Sequence, residues 1–442
     1  MPSRPKASAV PPTPVDVVVI GGGVAGLLAA RTAVRAGASV TLLEAAAQVG
    51  GRLGRVHVAG LDVDAGAESF ATRGGHVEQL CAQLGLADEV VAPRREPAWV
   101  VGPDAAYPLP ATAWLGIPAH PLSAPVRRVI GWRGALRAAA DLVLPPHAVS
   151  PGATVGQVVT SRVGAAVTQR LVAPVVTGVY TRPLDELAVD ALAPGLAADV
   201  ARRGLIRTAR ARRGASAPGS AVRSLRGGLF RLCDAIADDA RSNGASILTG
   251  QHVSVVTRVG DQWQVTAASA SYRAAAVVMA VPLPVAAQLL GRPEQAPAAG
   301  TVAIVTLVVD EPALDHAPRG TGVLAQPGLT RAKALTHASA KWEWVAQALP
   351  AGRHVVRLSY TLGSPDEDPS GHALVDASAL LGVALTPQQV VAQSCHVWPD
   401  AAPGTPLQGL PEGIHAVGAA AGLTGLAAII AQAGQADFVS RA

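Results

Sequence analysis

The pattern of hydrophobic and polar positions predicts a strand, a helix and a second strand at the start of the chain. Val15–Ile20 is a short run rich in β-branched residues, which is typical of a buried parallel strand. Gly21–Gly23 interrupt the run, and Val24–Ala36 then has the apolar pattern of a helix. Ser39–Leu43 is a second apolar run that ends at Glu44. Together these segments predict one βαβ-type unit.

Further periodic segments follow this unit. Val56–Val63 alternates weakly and predicts a strand, and His76–Leu84 has apolar residues at helical spacing. From Ala92 to about Pro194 prolines are frequent, and apolar helical segments are separated by arginines. Later elements are predicted at Gly227–Ala240 (helix), Ser246–Leu248, His252–Arg258, Gln262–Thr266, Ala276–Val281, Val302–Val309, His354–Tyr360 and His415–Gly418 (strands), and Leu426–Val439 (helix). The outer segments resemble each other and the middle differs, which indicates a nucleotide domain built from discontinuous pieces.

Composition makes the chain a globular protein of several domains, because half of its 442 residues are hydrophobic and 15% are charged. The net charge is +5, and only Lys6, Lys333 and Lys341 among the 36 basic residues are lysines. The arginines are spread along the chain and aromatic residues are few, which argues against nucleic acid as a partner. Three separated cysteines exclude a disulfide framework and a thiolate zinc site, and they fit a reducing cytoplasm.

No signal peptide or membrane span is predicted. Met1–Pro14 is rich in proline and has no apolar core, so it is expected to be a flexible leader. Ala274–Gly291 and Ala416–Ala436 lack charge over about the length of a membrane span. Their prolines and glycines favour a strand, a loop and a helix instead.

Gly21, Gly23 and Gly26 form a G-x-G-x-x-G pattern between the predicted strand and helix. The first glycine permits the tight turn, the second lets the backbone approach a pyrophosphate, and the third lets helix and strand pack closely. The phosphates would then face the unpaired N–H groups of the helix. Glu44, at the end of the next strand, is placed to accept hydrogen bonds from ribose hydroxyls. The combination predicts a bound dinucleotide.

Two later segments indicate which dinucleotide is bound. Gly50-Gly51-Arg52 follows Glu44, and Asp64–Phe70 reads D-A-G-A-E-S-F. A G-G-R segment after the ribose-binding acid resembles the large flavoprotein family of amine oxidases, phytoene desaturases and protoporphyrinogen oxidases. In that family both segments lie along FAD, so the resemblance implies FAD as the cofactor.

Other segments resemble the porphyrinogen oxidases of that family, and the resemblance covers nearly the whole chain from Val15. Asp64–Leu86 is similar to a pattern that ends in a helix and L-G-L. Similar segments follow in the family's order at Tyr107–Pro110, Leu115–Pro118, Leu171–Tyr180, Asp185–Leu187, Ser224–Leu229, Ala280–Pro282, Lys341-Trp342 and Gly418–Gly434.

The resemblance implies hydride transfer from a bridging carbon of a porphyrinogen to the flavin, which O₂ reoxidises to give H₂O₂. Three rounds, with tautomerisation between them, yield the aromatic porphyrin of haem biosynthesis. Because the flavin supplies the chemistry, no catalytic triad or essential general base is expected. The composition indicates a GC-rich bacterium, and such Gram-positive members of the family it resembles typically use coproporphyrinogen III. That compound is therefore the expected substrate, with protoporphyrinogen IX as the alternative. Other haem-pathway enzymes are candidate partners.

The resemblance also implies the residues at the cofactor, with no residue assigned a catalytic role. They are Gly21, Gly22, Gly23, Val24, Ala25, Gly26, Glu44, Ala45, Gly51, Arg52, Gly66, Ala67, Glu68, Ser69, Val253, Trp398, Gly418, Ala419, Thr424, Gly425 and Leu426. No metal is expected, because His57, His76 and His120 share no metal-ligand spacing.

The implied fold class is α/β with α+β parts. A Rossmann-like FAD-binding domain is expected over residues 15–92, 222–290 and 395–442, after a leader at 1–14. Residues 201–221 and 291–394 are expected to form a substrate domain with a mixed or antiparallel sheet, and residues 93–200 a helical, membrane-facing insertion. The expected location is the cytoplasm, with peripheral attachment to the inner face of the cell membrane.

Arginines in the middle of the chain are candidates for binding substrate propionates, because guanidinium groups suit carboxylates. The alternative is a solvated basic face. Trp132, Leu136, Leu142 and Val143 near four of them also suggest an amphipathic helix at a membrane. The candidate arginines are Arg127, Arg128, Arg133, Arg137 and the six within Arg202–Arg213.

The chain departs from the family near the flavin's ring. Trp398 is not followed by P-Q-Y, Ala419–Ala421 stand where an aromatic residue is common, and Gly434–Asp437 replaces G-R-A-A. Two alternatives therefore stay open. One is another flavin oxidase or desaturase, acting on an amine or a carotenoid, and the other is a non-catalytic FAD-binding protein.

Overall fold

The computed structural model describes residues 12–72, 74–145, 148–180, 183–213, 222–295, 300–399 and 406–433. The predicted leader falls almost wholly outside these ranges, as do Gly434–Asp437 and the end of the last predicted helix.

The strands and helices follow the chain in a mixed order. The strands are β1 Thr13–Ile20, β2 Val40–Leu43, β3 Arg55–Val58, β4 Leu61–Asp64, β5 Phe70–Ala71, β6 Val90–Val91, β7 Trp99–Val101, β8 Ala106–Pro108, β9 Ala113–Trp114, β10 Ile117–Pro118, β11 Val222–Leu225, β12 Ser246–Leu248, β13 Val253–Val259, β14 Gln262–Ala267, β15 Ser271–Met279, β16 Thr301–Asp310, β17 Gly322–Ala325, β18 Ala334–His337, β19 Arg353–Leu362, β20 Val390–Trp398 and β21 Ile414–Ala416. The helices are α1 Val24–Arg35, α2 His76–Gln83, α3 Ala124–Ala139, α4 Val155–Val163, α5 Ala165–Val167, α6 Ala173–Tyr180, α7 Val189–Leu192, α8 Leu196–Arg203, α9 Leu205–Arg213, α10 Phe230–Ser242, α11 Leu283–Leu289, α12 Ala338–Lys341, α13 Glu343–Gln347, α14 Ala373–Leu381 and α15 Leu426–Ala433.

The first sheet confirms the predicted βαβ unit. β1 pairs in parallel with β2 on one side and β15 on the other, and β12 and β21 extend the parallel part. β13 and β14 add an antiparallel edge. Helices α1, α2, α10 and α15 pack together on one face, where Leu27, Val77 and Leu232 are fully buried. These strands come from both ends and the middle of the chain, as a discontinuous domain requires.

The second sheet has the order β20-β16-β19-β18-β17-β7-β8 and is antiparallel except between β17 and β7. One face packs on α14 through a core that includes Ala303, Val305 and Leu358. The expected mixed or antiparallel sheet is therefore present.

Helices α3 to α9 form a third unit with its own core, which includes Val126, Leu171 and Ile206. The helix α3 is kinked at Gly131, whose φ is +69°. No described helix has both the length and the apolarity needed to cross a membrane.

Four predictions about segments were wrong in part. Val56–Val63 is a hairpin, β3 and β4, because Ala59 and Gly60 turn the chain with positive φ. The region expected to be helical from residue 93 begins with β7 and β8, which the second sheet recruits as edge strands. Arg202–Arg213 belongs to the helical core rather than to the substrate sheet, and β20 runs through the boundary expected at residue 395.

Candidate active site

The glycine-rich turn between β1 and α1 contains three glycines, and a side chain at each of them would have a different steric effect. Gly21 has a φ of +105°, and a Cβ there would lie 2.7 Å from the carbonyl oxygen of Ala280. A Cβ at Gly26 would overlap the carbonyl oxygen of Gly21. At Gly23 a Cβ would meet nothing within 4 Å, and no side chain caps α1. The bare helix N-terminus therefore faces open space, as a phosphate-binding site requires.

Glu44 lies at the end of β2, beside this turn. Its carboxylate accepts hydrogen bonds from the backbone N–H of Gly22 at 2.6 Å and of Ala46 at 2.7 Å. The N–H of Gln251 donates to the carbonyl oxygen of Glu44 at 2.8 Å, which brings the start of β13 alongside. Val253, the first residue of β13, is buried. The acid and the segment before Val253 therefore flank the same end of the turn.

The G-G-R segment lies against the glycine-rich turn. Gly50 forms a parallel bridge with Gly23, and a Cβ at Gly51 would lie 3.2 Å from the Cα of Gly23. The carbonyl oxygen of Arg52 accepts from the N–H of Ala67 at 2.9 Å, and a Cβ at Gly66 would overlap that oxygen. The sequence around Gly66 is thus joined to the turn through Arg52.

The last strand of the second sheet and the C-terminal loop complete the surroundings. A Cβ at Gly66 would lie 3.4 Å from the indole of Trp398, whose buried Nε1 has no hydrogen-bond partner among the described residues. A Cβ at Gly418 would lie 2.6 Å from the Cβ of Ala25. Ala419 belongs to the 3₁₀ turn after Gly418, and Thr424–Leu426 leads into α15, which packs on α1.

We call this the cofactor crevice: the glycine-rich turn, Glu44, Gly51-Arg52, Gly66-Ala67, Trp398 and Gly418–Leu426. The structure brings these predicted residues together although they come from the whole length of the chain. The open space at Gly23, the uncapped helix and the unpartnered indole N–H all fit a dinucleotide. Among the described residues no cluster of side chains suits a metal ion.

Glu68 does not present its side chain to the crevice, since it forms the centre of an ion cluster. Its carboxylate accepts from Lys341 Nζ at 2.6 Å and from Arg357 Nη1 at 2.6 Å. Arg357 Nη2 also donates to the carbonyl oxygen of Gly66 at 2.5 Å. Burial alone would raise the pKa of Glu68, but the two cations outweigh it and hold the pKa at about 2. The ion cluster ties the segment around Gly66 to the second sheet.

Sequence reasoning did not identify the ion cluster. Lys341 entered the predictions only as part of a motif, and Arg357 did not enter at all. A charged residue within the apolar strand β19 was the available signal, because an arginine in a buried strand requires a partner.

Asp64 lies behind the same segment and has the opposite pKa shift. Its carboxylate accepts from the N–H of Phe230 at 2.9 Å, and the residue is buried. Burial raises the pKa of Asp64 to about 6, against the lowering effect of Arg357. Asp64 and Glu68 thus illustrate how a neighbouring cation decides the state of a buried acid.

Several candidate arginines are bound within the helical unit. Arg202, Arg203 and Arg212 all contact the carboxylate of Asp199. Arg137 donates to the carbonyl oxygens of Ser161 and Arg162. These four therefore have structural partners of their own.

Comparisons with known proteins agree with this geometry. A family model described as flavin containing amine oxidoreductase matches residues 24–415. A coproporphyrinogen III oxidase of Mycobacterium tuberculosis H37Rv is 30% identical over 89% of this chain and 88% of its own length. One from Propionibacterium freudenreichii is 30% identical over 70% of this chain and 66% of its own length.

Solved structures show the same fold at low sequence identity. A protein from Exiguobacterium sp. 255-15, assigned as a protoporphyrinogen oxidase, has a TM-score of 0.78 and 22% identity, covering 95% of this chain and 97% of its own. The cyclohexylamine oxidase of Brevibacterium oxydans has a TM-score of 0.61 and 18% identity, covering 95% and 98%. With a family model that spans most of its length and relatives at this identity, the chain belongs to the flavin-containing amine oxidoreductases and is an oxidoreductase.

Proposed function

We propose that this protein binds FAD and oxidises coproporphyrinogen III to coproporphyrin III, with O₂ as the final electron acceptor and H₂O₂ as the second product. The observation that carries the proposal is the 30% identity, over 89% of this chain, to a coproporphyrinogen III oxidase. The cofactor crevice supports it, because its open turn and its acid lie where a dinucleotide needs them.

The residues of the cofactor crevice would hold FAD by its diphosphate, its ribose and its flavin ring. The uncapped N-terminus of α1 would bind the diphosphate, and Glu44 would bind the ribose. The segment around Gly66 and the indole of Trp398 would lie at the flavin end. When bound there, FAD supplies the hydride acceptor.

The second sheet supplies a surface beside that end for the tetrapyrrole. Val302 pairs with Trp398, and Ile304 in the next row pairs with His396. Farther along, Leu324 on β17 lies under Gly178 of α6, so the helical unit covers the other side. A flat, largely apolar sheet surface between the flavin and the helical unit suits a tetrapyrrole ring. The protein would fix the position of that ring.

The direct test is to purify the holoprotein and mix it aerobically with coproporphyrinogen III and, separately, with protoporphyrinogen IX. We expect flavin absorbance and an enzyme-dependent rise of porphyrin fluorescence with coproporphyrinogen III. A rise with protoporphyrinogen IX alone would assign the other substrate. Bound flavin with no rise of fluorescence on either substrate would contradict the proposal. It would favour an oxidase or desaturase with another substrate, or a non-catalytic FAD-binding protein.

We also propose that the helical unit attaches to an anionic membrane surface. After the kink at Gly131, Trp132 is 60% exposed and Leu136 is 59% exposed. The guanidinium of Arg127 lies 4.0 Å from the centre of the Trp132 ring, and Arg128 and Arg133 are exposed nearby. Apolar side chains beside arginines suit the interface of an anionic bilayer.

Replacing both exposed side chains, Trp132→Ser with Leu136→Ser, is expected to weaken binding to phosphatidylglycerol vesicles by at least about ten-fold. Each large apolar side chain that enters the bilayer contributes about 1.5–3 kcal/mol, and about 1.4 kcal/mol is a factor of ten. Co-sedimentation with vesicles measures it. Val375→Ser is the matched control, because Val375 is exposed on α14, outside the helical unit. Equal sedimentation of the double variant and wild type would contradict the attachment.

A further inference from the structure

One face of the second sheet is unevenly covered. On β16, Ala303, Val305 and Leu307 point to the α14 face and are fully buried. Val302 and Ile304 point to the opposite face and stay half-buried, although they lie in the interior of the sheet. That face is therefore left open near the Trp398 end of β20.

The open part has definite limits. The ion cluster covers the face at Arg357, which pairs with Thr306. Trp398 bounds it towards the cofactor crevice. Between these limits lies one cross-strand row, which we call the open row. Its members are His396, Ile304, Ser359, Ala334 and Leu324, all of them half-buried, and α6 covers the row at its Leu324 end.

His396 is the titratable residue of this row. It lies two residues before Trp398 on the same face of β20, and the two ring centroids are 4.9 Å apart. No described residue forms a hydrogen bond with its ring nitrogens, and both nitrogens are accessible to solvent. A half-buried imidazole with no partner in the described part of the chain, next to Trp398, is placed to contact a substrate on the open row.

We propose that His396 accepts the proton that a pyrrole nitrogen of the porphyrinogen releases in each two-electron oxidation. This inference rests on the proposed function. In each round a bridging C–H bond breaks and its two electrons leave as a hydride to the bound flavin. A pyrrole N–H bond breaks, its electron pair completes the new double bond system of the macrocycle, and the proton moves to a ring nitrogen of His396 and then to water. After three rounds a tautomerisation moves one proton from a bridging carbon to a pyrrole nitrogen, which leaves the two N–H groups and four bridging C–H groups of the porphyrin. O₂ takes up the electrons and two protons as H₂O₂.

The charge state of His396 suits this role. Burial lowers the pKa of His396 below the ordinary histidine value, so the ring is neutral at pH 7 and can accept a proton. The elements packed against β20 bring few competing groups. Their titratable residues, with those of β20 itself, are Asp310 on β16, Arg55 and His57 on β3, His372 in the 3₁₀ helix Pro369–His372, and Cys395 on the opposite face.

The inference departs from the expectation that the flavin needs no base from the protein. A tetrapyrrole lying on the open row would shield its nitrogens from bulk water. A local acceptor then speeds proton loss, while slow escape to water leaves residual turnover. His396 is therefore expected to accelerate the oxidation without being essential for it.

The test compares His396→Gln with the matched control His120→Gln, an exposed histidine between β10 and α3. Glutamine keeps the size and polarity of the side chain but cannot take up a proton. Anaerobic mixing with coproporphyrinogen III should show flavin reduction slowed by at least about ten-fold in His396→Gln. The control should match wild type. The wild-type rate should fall as pH drops through the pKa of His396, and His396→Gln should lack that fall.

Two further measurements separate proton transfer from a merely structural role. Added imidazole should partly restore the rate of His396→Ala. In histidine-labelled apoprotein, coproporphyrin III should shift the NMR signals that His396→Gln lacks, which requires no flavin. An active wild type with an unchanged rate and pH profile in His396→Gln would overturn the inference alone. An inactive wild type would instead contradict the proposed function.

Discussion

Gly23→Val is expected to abolish flavin retention while leaving the fold as stable as that of the wild-type apoprotein. The valine side chain would enter open space, since nothing lies within 4 Å of its Cβ and the φ of Gly23 is −71°. The diphosphate of FAD, bound as proposed, would occupy that space against the backbone. The flavin-to-protein absorbance ratio of the purified variant measures retention, and thermal unfolding of both apoproteins measures stability.

Two other glycines sharpen this prediction. Gly26→Val should lower stability as well as flavin retention, because its Cβ would overlap the carbonyl oxygen of Gly21. Gly371→Val is the matched control, since Gly371 also has open space around it and lies far along the chain in a surface 3₁₀ helix. If Gly23→Val keeps its flavin, the diphosphate does not lie at this turn.

The sequence was sufficient for the local part of the site. The β1–α1–β2 unit, the glycine pattern and Glu44 follow one another within a short stretch, so spacing alone predicted their geometry. Segments with the parallel-strand pattern recur at both ends of the chain, and the structure places strands from both ends in the first sheet.

The non-local part could not be predicted in the same way. β7 and β8 join the second sheet because β17, more than two hundred residues later, offers them an edge. Nothing near Trp99 in the sequence signals that partner. In the same way Glu68 was expected at the cofactor, because the resemblance implies that its segment lies along FAD. Its side chain instead binds cations contributed by α12 and β19. Pairings of this kind depend on packing between distant segments.

Ala419–Ala421 is the departure from the family pattern that lies wholly within the described residues. Ala419–Ala421 forms the 3₁₀ turn that follows the close approach of Gly418 to Ala25. Trp398 keeps its place beside Gly66 although the residues after it differ from the family, and residues 400–405 and 434–442 lie outside the described ranges. The diphosphate and ribose contacts proposed at Gly23 and Glu44 do not involve these departures.

Glu68→Gln is expected to destabilise the apoprotein by about 3–5 kcal/mol at pH 7. The wild-type carboxylate is only 11% exposed and compensates two cations, Lys341 and Arg357, which the glutamine would leave without a counter-charge. Removing one partner of a buried ion cluster costs more than the cluster contributes, because the remaining charges stay desolvated. Urea unfolding of both apoproteins at pH 7 measures the difference, and the double variant with Lys341→Met should recover part of it.

The same variant has a pH signature that a general packing defect lacks. The pKa of Glu68 is about 2 in the folded protein, below the ordinary glutamate value of about 4.3. A lowered folded pKa stabilises the fold above the unfolded pKa, and this stability is lost as pH falls towards 2. The gap between wild type and Glu68→Gln should therefore stay constant from pH 7 to about 5 and close below about 4. A gap that persists unchanged at pH 3 would show that Glu68 stabilises the fold by packing and not by its charge.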